Sequence, residues 1–177
     1  MTSKVVAYVA VSLDGFIAHE DGSVGFLEKF GTDEYDFHGF LDTIGAVVLG
    51  ATTYEQVLGW GWPYGELPGV VLTSRDLPAA EGANIDFSSA PTADAIRSLA
   101  ASTDKRVWVV GGGVVITDGI NGGAIDTLEL YVMPTVLGSG IPLFTNAIDA
   151  PLDLVEATSF SNGAVKLEYR IRLDTST

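Results

Sequence analysis

The sequence of 177 residues contains no cysteine, which excludes disulfide bonds, thiolate nucleophiles and cysteine-ligated metal sites. Only two histidines are present, so we expect no metal site of the tetrahedral zinc type. Cations are scarce as well, because nine lysine and arginine residues stand against 23 acidic residues, for a net charge of −14. Binding to a phosphate backbone needs clustered cations, and we therefore expect no nucleic-acid partner.

Long hydrophobic runs are missing too. The apolar segment at residues 5–11 is too short to span a membrane, and no small-residue cleavage pattern accompanies it. We expect no membrane partner, and the lack of cysteine is compatible with a cytoplasmic location. A hydrophobic fraction of 47% with 18% charged residues is typical of a globular protein. At this length, we expect one domain over residues 1–177.

Strand-like and helix-like segments alternate along the chain, which predicts an α/β fold with a mixed, mostly parallel central sheet. We predict strands at residues 4–12, 46–50, 69–73, 106–110, 126–136 and 165–173. Helical patterns cover residues 33–42, 52–58 and 92–101.

Local signals refine these elements. Thr52 and Thr92 are expected N-caps, and Glu55 completes a capping-box pattern with Thr52. Residues 127–133 and 166–172 alternate polar and apolar side chains. This alternation predicts antiparallel strands at the C-terminal edge of the sheet, with one face in contact with solvent.

Three consecutive glycines, Gly111 to Gly113, follow the strand predicted around Trp108. Glycine lacks Cβ, so such a run can bring backbone N–H groups within reach of a phosphate and can begin a helix whose N-terminus binds an anion. A tight turn from strand to helix, with no ligand, explains the same residues. Neither the Gly-x-Gly-x-x-Gly pattern nor the Walker pattern is present.

Five segments, in order along nearly the whole chain, carry a resemblance to one family. They are residues 12–18, 48–55, 71–75, 106–116 and 133–144. Together they resemble the dihydrofolate-reductase-like superfamily. The opening Ser12-Leu-Asp-Gly15 and the ending Leu137-Gly-Ser-Gly-Ile-Pro-Leu-Phe144 resemble, in particular, the C-terminal reductase domain of bacterial riboflavin-biosynthesis deaminase-reductases. The resemblance implies a three-layer α/β/α domain of about eight strands and four helices, and a homodimer that pairs through edge strands.

The resemblance also implies NADPH as the cofactor, bound at the carboxyl ends of the strands. Ala10 and Ile17 match positions whose backbone holds the nicotinamide carboxamide. Helix N-termini that follow Gly50 and the glycine run would clamp the pyrophosphate from two sides. The other residues matched to cofactor contacts are Thr52, Thr53, Gly111, Gly112, Gly113, Val114 and Val115. Members of the superfamily often have a cis peptide bond within the glycine run, which implies one between Gly111 and Gly112.

The 2′-phosphate of NADPH is matched by Thr73, Ser74 and Arg75, although an exposed arginine in a polar loop is the alternative explanation of Arg75. At Ala51 the sequence departs from the family, which usually has an arginine there. One phosphate-binding cation is therefore missing, and the preference for NADPH over NADH is weakened. Residues 19–25 resemble the mobile loop that closes over the nicotinamide.

Candidate substrate-binding residues come from two loops. Trp62 and Tyr64 could stack on a flat heterocycle, but tryptophan and tyrosine also fill protein cores and dimer interfaces. Pro134, Gly138 and Ser139 resemble a loop on the substrate side of the family's cleft.

The candidate proton donor is Glu34, with Asp33 and Asp36 as neighbours. Acidic residues in the first turn of a helix also favour its dipole, which is an alternative explanation of all three. Water could supply the proton instead.

The sequence therefore predicts an NADPH-dependent reductase that passes a hydride to a small nitrogen heterocycle, such as 5-amino-6-(5-phosphoribosylamino)uracil or a pterin. Two alternatives stay open. The domain could bind a flavin or pterin without turnover, or it could be a homo-oligomeric scaffold whose cofactor cleft is degenerate.

Overall fold

The computed structural model describes residues 4–31, 34–146 and 148–172, which contain ten strands and four α-helices. The strands are β1 Val5–Ser12, β2 Phe16–Ala18, β3 Ile44–Gly50, β4 Gly69–Leu72, β5 Ile85–Ser88, β6 Arg106–Gly111, β7 Thr127–Met133, β8 Ile141–Pro142, β9 Leu152–Ser159 and β10 Val165–Ile171. The helices are α1 Phe37–Asp42, α2 Ala51–Trp60, α3 Thr92–Ala101 and α4 Gly113–Asn121, and a 3₁₀ helix covers Gly25–Phe30.

Eight strands form the central sheet in the order β5-β4-β3-β6-β1-β7-β10-β9. From β5 to β7 every neighbouring pair is parallel, whereas β10 pairs antiparallel with both β7 and β9. The mixed sheet with an antiparallel C-terminal edge is thus confirmed. The short strands β2 and β8 form a separate antiparallel pair.

The central strands are apolar on both faces because helices cover both faces. In β3, Val48 packs in one cluster with Ile96 of α3 and Ile116 of α4. Its neighbours Val47 and Leu49 pack on the opposite face with residues of α1 and α2, including Phe40. The three-layer α/β/α arrangement is therefore confirmed.

Two predicted helix caps are wrong. The N-cap of α2 is Gly50, in extended conformation, because β3 runs directly into the helix. The capping box consequently does not form, and Glu55 pairs with Arg75 instead. The N-cap of α3 is Pro91, whose carbonyl accepts the first helical hydrogen bonds, so Thr92 is already helical.

The helix predicted from residue 33 begins later, at Phe37, after the N-cap Asp36, whose carboxylate accepts a hydrogen bond from Gly39 N. Residue 33 and residue 173, the predicted end of the last strand, lie outside the described residues.

Strands β5 and β9 were not among the predicted strands. In β9 the register shifts opposite Glu168 and Tyr169, so that Val155 is an extra residue and the polar-apolar alternation is interrupted. The period of two that identifies a strand is therefore lost.

The expectation of a solvent-facing polar side is wrong for β7. Thr127, Glu129, Tyr131 and Met133 share one face of the strand and are all buried. Residues of α1 line a cavity over this face together with Glu129 and Tyr131. A charged carboxylate is thereby placed in the protein interior, where it needs partners.

Candidate functional site

Two adjacent parallel strands, β3 and β6, end in glycine and lead directly into helices at the same edge of the sheet. The N-cap of α2 is Gly50 and that of α4 is Gly112, and neither helix has a side-chain cap. The first N–H groups of both helices therefore have no side-chain acceptor from the cap position. The peptide bond between Gly111 and Gly112 is cis, as the resemblance implies.

The two glycine ends lie against each other. A Cβ atom placed on Gly50 would lie 3.5 Å from Gly112 N and 3.1 Å from a methyl carbon of Val115. The Thr53 hydroxyl is close as well, 3.4 Å from the position that a Cβ of Gly112 would take. Two uncapped N-termini and a hydroxyl thus converge, and this set of donors suits a diphosphate.

The remaining residues of this predicted cofactor region take different positions. Gly113 packs tightly against β8, since a Cβ there would lie 2.6 Å from Pro142 O and 2.7 Å from Leu143 O. Its lack of a side chain is therefore needed for packing. Thr52 and Val114 are exposed, whereas Val115 is buried beside Gly50, next to the two helix N-termini.

Thr73, Ser74 and Arg75 follow β4 as the sequence predicts. The turn is closed by a hydrogen bond from Arg75 N to Thr73 Oγ1 of 2.9 Å. The guanidinium group of Arg75 donates to both carboxylate oxygens of Glu55, at 3.1 Å and 2.8 Å. Both side chains are largely exposed, and the hydrogen bond to Glu55 raises the pKa of Arg75.

The turn after β1 is joined to the loop after β7 by Asp14. Its carboxylate accepts hydrogen bonds from the Ser12 hydroxyl at 2.7 Å, from Leu137 N at 3.1 Å and from Gly138 N at 2.7 Å. The bond from Ser12 and the two backbone N–H donors lower the pKa of Asp14 to about 2. Gly138 N, in the predicted substrate loop, thus already has an acceptor, while Ser139 is exposed.

The backbone positions matched to the nicotinamide lie on β1 and β2. Ala10 is directly opposite Tyr131 in the β1–β7 pairing. Ile17 is half-buried on β2 and packs against the cluster formed with α3 and α4.

The predicted aromatic substrate residues form part of the core. Tyr64 is buried, with its ring 4.8 Å from Trp62 and 5.5 Å from Trp108, both edge to face. Burial raises the pKa of Tyr64 to about 12. These contacts give Trp62 and Tyr64 a packing role under α2, and their contact with substrate stays a prediction.

Glu34 and Pro134 lie near the turn between β9 and β10. The Glu34 carboxylate accepts hydrogen bonds from Ser161 N, at 3.0 Å, and from the Ser161 hydroxyl. These bonds lower the pKa of Glu34, which disfavours its acting as an acid. A Cβ atom placed on Gly163, in the same turn, would lie 3.3 Å from Pro134 Cγ.

A cavity of about 470 Å³ lies between α1 and the sheet. None of the substrate residues predicted from the sequence lines it. Its walls are formed by Tyr8, Tyr35, Asp36, Gly39, Phe40, Thr43, Arg106, Glu129, Tyr131, Lys166 and Glu168. The sequence signal that could have found it is the inward-facing Glu129 and Tyr131 in the alternating strand β7.

The electrostatic centre of this cavity is Glu129, which is 3% exposed. Arg106 Nη2 contacts one of its oxygens at 2.6 Å and Lys166 Nζ contacts the other at 2.9 Å. Burial lowers the pKa of Lys166, but the hydrogen bond and charge of Glu129 outweigh burial, so the net shift is upward. Lys166 is therefore protonated at neutral pH.

Tyrosines complete the cavity. Tyr8 donates to Tyr131, and burial, followed by that hydrogen bond, raises the pKa of Tyr8. Burial also raises the pKa of Tyr131, whose hydroxyl lies 3.5 Å from Tyr35 O. Both phenols are consequently neutral at physiological pH.

Over residues 4–31, 34–146 and 148–172, no helix combines the length and the apolar composition that a membrane crossing requires. Within those ranges, no cluster of three or more histidine, aspartate and glutamate residues is placed to hold a metal ion.

The sequence of this chain is similar to those of known proteins over nearly its whole length. The profile of the RibD C-terminal domain matches residues 3–166. The uncharacterized Bacillus subtilis protein YwjB is 34% identical over 172 residues, which cover 96% of this chain and 98% of YwjB.

Solved structures agree on the fold. A Shewanella sp. PV-4 protein named for riboflavin biosynthesis has a TM-score of 0.80 at 22% identity, over 97% of this chain and 100% of that one. A pyrimidine reductase-like protein from Corynebacterium diphtheriae has a TM-score of 0.72 at 19% identity, over 97% and 93% of the two chains. A dihydrofolate reductase from Enterococcus faecalis, complexed with NADP(H), has a TM-score of 0.62 at 21% identity, over 96% of each chain.

Proposed function

This chain belongs to the RibD C-terminal domain family, and we propose that it is an NADPH-dependent reductase of a small nitrogen heterocycle. The observation that carries the proposal is the pair of uncapped helix N-termini at Gly50 and Gly112, which meet beside the Thr53 hydroxyl. Such a set of donors suits a dinucleotide pyrophosphate. The similarity to a pyrimidine reductase-like protein and to a dihydrofolate reductase supports the same reaction class.

Bound NADPH would supply the hydride. The residues of this chain would bind and orient it: the N–H groups at the starts of α2 and α4 would bind the pyrophosphate, and the backbone of Ala10 and Ile17 would hold the carboxamide. The hydride would add to the carbon of a C=N bond or to the carbonyl carbon of a ring-opened sugar, and a proton on the nitrogen or oxygen would complete the two-electron reduction. The protein contributes orientation and exclusion of water from the reacting atoms.

Water is the favoured source of the proton. The hydrogen bonds from Ser161 lower the pKa of Glu34 and keep its carboxylate ionised. Glu34 as the donor therefore requires that its contact with Ser161 break. Asp36 lines the cavity, whereas Glu34 does not.

The substrate is a flat heterocycle of the aminouracil or pterin class, bound beside Ala10. Contacts from Trp62, Tyr64, Pro134 and Ser139 belong to this proposal only if loop movement brings them to the cleft. We place the enzyme in the cytoplasm as a single domain that needs no membrane or nucleic-acid partner.

A homodimer is part of the same proposal. Strand β9 forms one edge of the sheet, and its side chains Leu154 and Val155 are 56% and 50% exposed. Exposed apolar residues on an edge strand favour pairing with another chain. A second copy of this protein would cover them.

Titration with NADPH tests the proposed function. We expect saturable enhancement of nicotinamide fluorescence at micromolar concentrations, and oxidation of NADPH with at least one aminouracil, dihydropterin or flavin. Thr53→Val should weaken NADPH and NADH equally, by roughly threefold to tenfold, because both cofactors share the pyrophosphate. Thr158→Val, on β9, is the matched control and should bind as the native protein does. No binding of either cofactor at millimolar concentration would contradict the proposal and favour a degenerate cleft.

A further inference from the structure

The cavity under α1 adjoins the position proposed for the nicotinamide. Tyr131, on its wall, is directly opposite Ala10 in the β1–β7 pairing. Tyr8 is two residues before Ala10, on the same face of β1, which corresponds to about 7 Å along the strand. A ring that enters this cavity would therefore lie beside the segment of β1 to which the proposed function assigns the nicotinamide.

The walls of the cavity are suited to a planar ring. Tyr8 stacks on Phe40 with ring centres 4.1 Å apart, and the ring of Tyr131 lies 4.9 Å from that of Tyr8. Tyr35 meets Tyr131 edge to face at 5.2 Å. Aromatic surfaces of this kind bind flat heterocycles by stacking and by edge contacts. The volume of about 470 Å³ is within the range of small-molecule sites.

The charges in the cavity oppose a phosphate. Its two cations, Arg106 and Lys166, both contact Glu129, and Lys166 is also 3.8 Å from Glu168. Asp36 adds a third carboxylate to the lining. Among the described residues that line the cavity, each cation already has an acidic partner, and the carboxylates outnumber the cations. A phosphate would have to displace Glu129 and approach the other acids.

The same charges favour N–H donors. A carboxylate oxygen can accept two hydrogen bonds, and each oxygen of Glu129 contacts one cation. Glu168 and Asp36 are further acceptors in the lining. The amino and ring N–H groups of an aminopyrimidine or a pterin present donors of the required kind. The charges of the cavity thus suit a neutral or protonated ring, and they do not suit a dianionic phosphate group.

We propose that the substrate of this reductase is an unphosphorylated aminopyrimidine-type heterocycle, neutral or cationic, whose ring binds in the cavity between Tyr8, Tyr131 and Glu129. This inference rests on the proposed reductase function. It concerns the binding of the substrate, however, and it can be tested without turnover.

Calorimetric titration of two matched pairs tests it: 5-amino-6-ribitylaminouracil with its 5′-phosphate, and 6-hydroxymethylpterin with its phosphate ester. In each pair that binds, the unphosphorylated member should bind at least about tenfold more tightly at physiological salt. Equal or tighter binding of a phosphorylated member would overturn the proposal, as would failure of all four compounds to bind at millimolar concentration.

A charge variant makes the test specific to the cavity. Glu168→Gln removes one carboxylate from a half-buried position and should reduce the discrimination against phosphate severalfold. Glu66→Gln, an exposed position in the loop after α2, is the matched control and should leave the ratio unchanged. An unchanged ratio in Glu168→Gln would contradict the electrostatic argument, whereas general loss of packing would weaken both members alike.

Separate titration with NADPH distinguishes the two proposals. If NADPH binds but the four compounds do not, the reductase function stands and the cavity proposal fails. If NADPH does not bind, the function fails, and the ratio within each pair still decides what the cavity accepts.

Discussion

If NADPH binds as proposed, the pairing of Glu55 with Arg75 predicts how this protein would distinguish NADPH from NADH. Arg75 follows β4 and is the residue matched to the 2′-phosphate, yet both of its outer amino groups already donate to Glu55, at 3.1 Å and 2.8 Å. A phosphate that binds the guanidinium in a bidentate way needs the same two donors. Glu55 would therefore compete with the 2′-phosphate and place a like charge beside it. Because Ala51 brings no cation, Arg75 has no help from that position.

Replacing Glu55 by glutamine should consequently improve the binding of NADPH. The pair is exposed, with 54% and 43% of the two side chains accessible, so the competition that it offers is modest and is screened by salt. We expect the Kd for NADPH to fall roughly twofold to fivefold and that for NADH to stay the same. Arg75→Ala should weaken NADPH about tenfold to a hundredfold, the usual cost of a charge-assisted contact, with little effect on NADH.

Fluorescence titration with each cofactor at two salt concentrations measures these constants. Glu156→Gln, on β9 at the opposite edge of the sheet from β4, is the matched control for a lost surface carboxylate. The gain in Glu55→Gln should shrink at high salt. If Glu55→Gln or Arg75→Ala changes the binding of NADH as much as that of NADPH, neither residue lies at the 2′-phosphate and the reasoning is refuted.

Two further predictions concern the proposed dimer and the Asp14 clamp, by which we mean the hydrogen bonds from Leu137 N and Gly138 N that join the turn after β1 to the loop after β7. The folded-state pKa of Asp14, about 2, is below the unfolded value, so its contribution to stability is present above about pH 4 and is lost as pH falls through 2. Urea unfolding of Asp14→Asn should show a lower midpoint at pH 7 and a smaller loss of stability from pH 4 to pH 2; an identical pH dependence would contradict the clamp. Leu154→Lys should convert the dimer to a monomer in sedimentation velocity, whereas Glu156→Gln should not, and a native protein that sediments as a monomer would exclude the dimer.

Several features of the fold could be predicted because they depend on short-range pattern. The apolar runs of β1, β3 and β6 indicate strands that are covered on both faces, and Gly50 and Gly111 mark the ends of β3 and β6. The antiparallel edge follows from the alternation in β7 and β10. Relations between neighbouring residues decide these features, and they are visible in the chain itself.

The predictions that are wrong, for the cap of α2 and for strand β9, failed because of contacts between residues far apart in the sequence. Thr52 is a good N-cap by type, but β3 runs into α2 at Gly50, and the sheet brings Arg75 to the side chain that would have completed the capping box. Strand β9 escaped prediction because a register shift interrupts its alternation at Val155. In each case a partner distant in sequence outweighed a local preference.

The sequence by itself determined the mixed α/β fold, the glycine-terminated strands and the family to which they are similar, because each depends on local spacing. Only the tertiary structure decided which side of β7 is covered, and hence that Glu129 lies buried between Arg106 and Lys166. The alternation in β7 is the same whether its polar side faces water or a helix. What lies against a face depends on contacts between residues far apart in the chain, and these contacts turned an apparently solvent-facing strand into the wall of a cavity.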